Sequence, residues 1–172
     1  MSFRIRRAVP DDAPALAELA TDAFVAAFGR LYRPEDLAAF LAENRTPEVY
    51  HQEMLDSGTQ IAVAEADGAF AGYALIHWPS EFASKSDASR PLALHQLYCA
   101  ASATGRGIGA ALMEWALEIA KEIGCDAVQL SVFSENYGAQ RFYARYGFSK
   151  IADIEFWVGK QCDHEFLFER RL

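Results

Sequence analysis

Three glycines at alternate positions, Gly105, Gly107 and Gly109, separate an apolar run ending in Leu97-Tyr98-Cys99 from a stretch with helical spacing. In that stretch Ile108, Ala111, Leu112, Trp115, Ile119 and Ile123 recur on one face. A strand, a glycine turn and a helix start in this order make a place to hold an anion. Glycine admits positive φ and a close backbone approach, and the first-turn N–H groups of a helix lack partners and carry the positive end of its dipole. Three readings compete. A dinucleotide fingerprint needs Gly-x-Gly-x-x-Gly, which the spacing here does not give. A P-loop needs Lys and Ser or Thr after its last glycine, and Gly109 is followed by Ala110-Ala111. The third reading is a bend that only packs a helix on a sheet, and the residues downstream decide against it.

A chain of 172 residues, 52% hydrophobic with 12 Phe, 7 Tyr and 3 Trp, is long enough for one domain, 1–172, with its own core. Its cysteines, Cys99, Cys125 and Cys162, are odd in number and lack Cys-x-x-Cys spacing. They argue for a reduced compartment and against a disulfide framework or a zinc site, so no metal is expected. The amino terminus has no apolar signal core, and no apolar run approaches the length of a membrane span. A cytoplasmic location and no membrane partner are expected. A net charge of −8, from 24 acids and 16 bases, is a poor surface for nucleic acid or anionic lipid and mildly favours a cationic ligand.

In chain order, Phe3–Ala8 reads as a strand, and Pro10–Pro14 opens a helix running to Phe28. Two further helices, Pro34 to Asn44 and Pro47 to Leu55, lead to Ser57-Gly58. Strands 61–66 and 69–78 join at Asp67-Gly68, a hairpin signal. The polar, serine-rich segment 79–91 reads as a mobile loop before a strand over Leu92–Cys99. After the glycine turn and its helix, which Gly124 stops, come a strand over Ala127–Phe133, a short helix from Asn136 to Tyr146 and two closing strands. Antiparallel runs around one strand-helix-strand unit predict an α+β fold, a mixed sheet with helices on both faces.

The second motif is Asn136-Tyr-Gly-Ala139-Gln-Arg-Phe142-Tyr143-Ala-Arg-Tyr-Gly147-Phe148. Together with the glycine turn it resembles the GNAT N-acetyltransferase superfamily. That family's acyl-CoA motif, Gln/Arg-x-x-Gly-x-Gly/Ala, aligns with Thr104 to Gly109, and its Asn-x-x-Ala-x-x-x-Tyr-x-x-x-Gly-Phe aligns at Asn136, Ala139, Tyr143, Gly147 and Phe148. Thr104 departs from the pattern, with Arg106 as a possible extra phosphate contact. Residues 31–36, 94–98 and the tail from Gly159 also look like a bacterial branch that includes polyamine acetyltransferases.

The resemblance implies a GNAT-type, mostly antiparallel sheet, acetyl-CoA as co-substrate, a small-molecule or peptide amine as acceptor, and a possible homodimer through the last strands. It implies that the strand ending Leu97-Tyr98-Cys99 pairs with the pantetheine, and that Thr104, Gly105, Arg106, Gly107, Ile108, Gly109 and Ala110 surround the diphosphate. Asn136, Ala139 and Phe142 would complete the cofactor site, with Tyr143 as the acid that protonates the departing thiolate. The residues themselves leave alternatives open: Asn136 as a helix cap, Tyr143 as a core aromatic, Arg106 as a solvated charge. His95, on a strand where relatives often carry a glutamate base, is the candidate base, since a histidine titrates near 6.5; a hydrogen-bonded strand histidine is the plainer reading. Phe28, Tyr32 and Trp78 are candidates for the acceptor pocket, against ordinary packing. A non-catalytic acyl-CoA-binding module on the same fold is the alternative function.

Overall fold

The structure, a computed structural model, describes residues 2–172; Met1 lies outside the described residues. Its elements are β1 (Arg4–Arg7), α1 (Ala13–Phe28), α2 (Pro34–Asn44), α3 (Pro47–Leu55), β2 (Thr59–Ala66), β3 (Ala69–His77), β4 (Pro91–Cys99), α4 (Ile108–Ile123), β5 (Ala127–Phe133), α5 (Tyr137–Arg145), β6 (Ser149–Val158) and β7 (Gln161–Arg171). Seven strands form one sheet in the order β1-β2-β3-β4-β5-β7-β6, antiparallel except for β4 beside β5. This is the expected α+β fold.

Both faces of the sheet are covered, which explains why the middles of β2 (Ile61–Ala64) and β3 (Ala71–Ile76) run apolar rather than alternating. Ile61, Val63, Tyr73 and Leu75 pack under α1 and α3 with Leu16, Ala20 and Tyr50. The intervening Ala62, Ala64, Ala74 and Ile76 pack under α4 with Ile108, Leu112, Met113 and Ala116. The expected hairpin turns at Asp67 and Gly68, with φ of 52° and 77°.

Two irregularities build the site. In the register of β3 against β4, Leu75 faces Gln96 and Ile76 faces Leu94, so His95 is an extra, bulged residue. The bulge reverses the phase of the strand. Leu92 and Leu94 face the α4 side before it, whereas Leu97 and Cys99 face that side after it. Gln96 is turned instead to Tyr50 and Tyr73 beneath α1 and α3, accepting hydrogen bonds from their hydroxyls at 2.9 and 2.7 Å. The second irregularity is a fork. β4 and β5 are in register only at Pro91↔Ala127, Leu92↔Val128 and Ala93↔Gln129, and then part. β5 stays paired with β7 along its whole length, so the fork opens between 94–99 and 131–133. A buried clasp closes its base: Ser80 Oγ donates to Gln129 Oε1 at 2.7 Å, and Gln129 Nε2 donates to Glu169 Oε2 at 2.8 Å.

The segment expected to be a mobile loop is correspondingly tied down. Besides Ser80, the amides of Ser89 and Arg90 donate to Asp126 at 2.7 and 2.8 Å, and residues 83–85 form a helical turn. Serines here act as local caps: Ser80 Oγ also accepts from the Phe82 amide, and Ser86 Oγ from that of Ala88.

Candidate active site

The fork holds a cavity of about 540 Å³. One wall is β4 from Leu94 to Cys99, and the opposite wall is Ser131, Val132 and Phe133 of β5 with Glu165 of β7. Asn136, which precedes α5, and Ala139 and Tyr143 of α5 close one end with Thr104. The other end is aromatic, with Phe24, Phe28 and Tyr32 at the close of α1, Phe40 of α2 and Phe156 of β6. Phe24 meets Phe40 at 4.7 Å between centroids and stacks on Tyr32 at 6.1 Å. The fork thus gathers most of the residues picked from sequence, including His95, Leu97, Tyr98, Cys99, Phe28 and Tyr32.

Beside this cavity, α4 begins at Gly107, whose φ of 82° lies in the left-handed region, and no side chain caps the start. Its first internal hydrogen bond runs from the Ala111 amide to the Gly107 carbonyl at 3.0 Å. The amides of Ile108, Gly109 and Ala110 are therefore the orphan donors of this helix. A Cβ at Gly105 or Gly107 would meet nothing within 4 Å, so the turn is open on its outer side. A Cβ at Gly109 would lie 3.8 Å from both Cys99 Sγ and Phe142 Cζ, which places the helix start against the end of β4 and against α5. Phe142 backs the site from the core rather than lining the cavity. Thr104 donates to the Ala101 carbonyl at 3.2 Å, holding the approach to the turn.

Tyr143 is half-buried on the cavity wall, and loss of solvent, followed by the nearby Tyr98 and Cys99, pushes its phenol well above the ordinary value of 10. It carries its proton throughout the neutral range. Burial likewise raises the Cys99 thiol, so the cysteine is not a ready thiolate. Asn136 caps α5, its Oδ1 accepting from the Ala139 amide at 3.2 Å.

At the bulge, His95 Nδ1 lies 2.6 Å from Glu81 Oε1. Glu81 also reaches His77 Nδ1 at 3.5 Å, and His77 Nε2 lies 3.0 Å from Glu53 Oε2. The two imidazoles overlap, 4.4 Å between centroids. Burial would raise Glu81, yet its hydrogen bonds with His77 and His95 outweigh that and hold the carboxyl far below the usual range. Burial similarly works against the His77 cation, but Glu53 and Glu81 prevail and push it up to about 9. His77, Glu81 and His95 also bring three donor atoms within 4.8 Å of one another, a grouping that cysteine spacing could not reveal.

Trp78 does not line the cavity. β3 ends at His77, and the indole turns into the core with the Arg90 guanidinium 5.2 Å from its ring, so it packs the body of the fold rather than the expected acceptor pocket. Conversely, Glu53, His77, Glu81, Arg45, Ser131 and Glu165 carry no local motif. His77 and His95 both fall on stretches read as strands, but their pairing across β3 and β4 appears only in the fold. The others arrive from segments far apart in the chain.

The family model described as the acetyltransferase (GNAT) family matches residues 14–148. The chain belongs to the GNAT acetyltransferase family. An uncharacterized N-acetyltransferase of Mycobacterium tuberculosis is 31% identical over 161 residues, covering 94% of this chain and 98% of that protein. Another, from Lactobacillus delbrueckii subsp. lactis, is 27% identical over 94% of this chain and 92% of its own. Among solved structures, the PaiA N-acetyltransferase of Thermoplasma acidophilum, in complex with coenzyme A, superposes with a TM-score of 0.82 over 100% of both chains at 22% identity. This GNAT acetyltransferase has no helix, among the described residues, long and apolar enough to cross a membrane.

Proposed function

We propose that this GNAT protein transfers an acetyl group from acetyl-CoA directly to a primary amine of a small molecule or peptide. The observation that carries the proposal is the fork itself. It leaves the β4 edge from Leu94 to Cys99 unpaired beside the uncapped start of α4, with Tyr143 across the gap. A pantetheine arm carries amides able to pair with such an edge, and a diphosphate suits the amides of Ile108, Gly109 and Ala110 with the open turn at Gly105, Arg106 and Gly107. The PaiA relative of similar fold binds coenzyme A, which supports this reading.

Transfer needs an amine stripped of its proton, a carbonyl within attack distance, and a proton for the departing sulfur. His95, on the cavity wall, is the group placed to receive the amine's proton, directly or through water. Glu81, holding Nδ1, fixes the ring's orientation so that Nε2 is the free nitrogen. Backbone amides of the open edge supply donors for charge developing on the carbonyl oxygen. The protonated Tyr143 phenol donates to the thiolate as it leaves. Phe28 and Tyr32, with Phe24, Phe40 and Phe156, form the acceptor side.

The test is acetyl-CoA consumption by the full-length protein with a panel of amines, amino acids and short peptides. Turnover with at least one acceptor is expected. A folded protein that binds CoA and acetylates nothing on the panel would count for a non-catalytic CoA-binding module instead.

A further inference from the structure

The aromatic end of the cavity contains a cation with no anion beside it. Arg45 closes α2, lines the cavity and is 8% exposed. Its guanidinium carbon lies 5.1 Å from the centre of the Phe40 ring and 5.6 Å from that of Phe24. Nη1 donates to the Asn44 carbonyl at 3.1 Å, whereas Nε is buried without a partner. Among the described residues no carboxylate forms an ion pair with it. Of the carboxylates lining the cavity, Glu81 holds two histidines, Glu165 accepts from Ser131 Oγ, and the exposed Glu155 makes no ion pair with Arg45. Tyr50 and Tyr73 give their protons to Gln96, and the Tyr98 hydroxyl beside the guanidinium is a neutral partner that supplies no counter-charge. A charge withdrawn from water without a counter-charge is costly, and a buried donor left unpaired is rare enough to call for an explanation.

Resting on the acetyl-transfer reading above, we propose that Arg45 receives a carboxylate of the acceptor. The substrate is then an amino-carboxylate, either a free amino acid or a short peptide whose C-terminus lies near its reacting amine. An apolar side chain on it would lie against Phe24, Phe28, Phe40 and Phe156. Guanidinium suits the role because its planar fork matches a carboxylate. A polyamine lacks the anion and would set a second cation against Arg45, which the site disfavours.

The experiment offers leucine, phenylalanine and leucyl-phenylalanine, alongside isoamylamine, phenethylamine and spermidine, to wild type and to Arg45→Gln and Arg45→Met. Wild type is expected to use the carboxylate-bearing acceptors with kcat/KM at least about tenfold above the amines lacking it. Arg45→Gln should raise their KM about tenfold or more and leave the carboxylate-free amines within about twofold. Arg45→Met, which keeps a stem between the two rings, provides the same comparison if the glutamine variant does not fold. The ratio of dipeptide to free amino acid tells the two carboxylate sources apart. A wild type that favours spermidine or the simple amines overturns the proposal, as does an equal loss on both classes, the mark of a purely structural arginine. Should nothing turn over, the acetyl-transfer reading fails separately, and calorimetric titration of CoA-loaded wild type and Arg45→Gln with leucine and phenylalanine decides: binding lost in the variant sustains the carboxylate site, and no binding to wild type overturns it.

Discussion

At the scale of single residues, the proposed chemistry divides between a phenol made reluctant to ionise and a histidine pair steadied by carboxylates. Removing the Tyr143 hydroxyl should act on the step that needs its proton: Tyr143→Phe is expected to lower kcat about a hundredfold, with CoA affinity changed by no more than about threefold. Pre-steady-state kinetics and CoA titration check this, and unchanged kcat would remove the phenol from the reaction. His77 makes a different prediction. Its folded value of about 9 lies above the ordinary 6.5, so the stability it contributes is complete below about 6.5 and disappears as pH rises through about 9. Urea unfolding of wild type and His77→Gln across that window should show the stability difference shrinking; a constant difference would show that the cation is not what matters. On the acid side, Glu53 and Glu81 are held below 4.5, so their contribution is present above that value and fades only as pH falls through the depressed range. Tyr143 was legible in the sequence because its companions Asn136, Ala139, Gly147 and Phe148 are close in the chain. Glu81 and Arg45 were not, because they come from a serine-rich connection and a helix end, and only the folded sheet brings them to the cavity. Trp78 was misplaced by the same limit: adjacency to a strand end does not say which way an indole turns.

At the scale of elements, periodicity, with the turn residues, located each α-helix and strand to within a few residues, though not the helical turn at 83–85, since apolar positions at helical or strand spacing are what these faces must bury. It did not register the bulge, because inserting His95 changes which face each later residue occupies without changing composition. Nor could it show the fork, as parting strands remain as apolar as paired ones. The placement of α2 is a further tertiary matter. The turn between β6 and β7 puts Gly159, with φ of 57°, so close to α2 that an added Cβ would lie 2.4 Å from Asp36 Oδ1 and 2.6 Å from Asp36 Cα. There the Lys160 amide donates to Asp36 at 2.9 Å. Gly159→Ala therefore meets backbone as well as a left-handed conformation, and should cost about 2–3 kcal/mol. It should also weaken acceptor binding through the displaced Phe40. Chemical denaturation and acceptor KM are the readouts; a stability change under about 0.5 kcal/mol, the range of ordinary surface substitutions, would show that the turn accommodates the methyl freely.

For the whole molecule, the coenzyme proposed here would span three elements, β4, α4 and α5, that meet around Gly109. A ligand that grips β4, α4 and α5 at once should stabilise the fold by mass action. At about a hundredfold excess over Kd the gain is about 2.7 kcal/mol, and for a chain of this size that raises Tm by roughly 5–11 °C. Thermal scans with CoA, and with ATP for comparison, measure this; equal shifts with both would mean the site selects a phosphorylated nucleotide rather than the coenzyme's arm. A chain with 12 Phe, 7 Tyr and 3 Trp has the apolar area to cover both faces of one sheet.

His95 stands on one limb of the opening and Tyr143 beyond the other, while the limbs meet only at residues 91–93 and 127–129, where Ser80, Gln129 and Glu169 are fastened together. The span between the proposed base and the proposed acid is consequently governed from a point remote from both. On the acetyl-transfer reading, a slight change of angle at that vertex would alter the room for an acceptor and the reach of the acid together, so a larger substrate would also shift the timing of the chemistry.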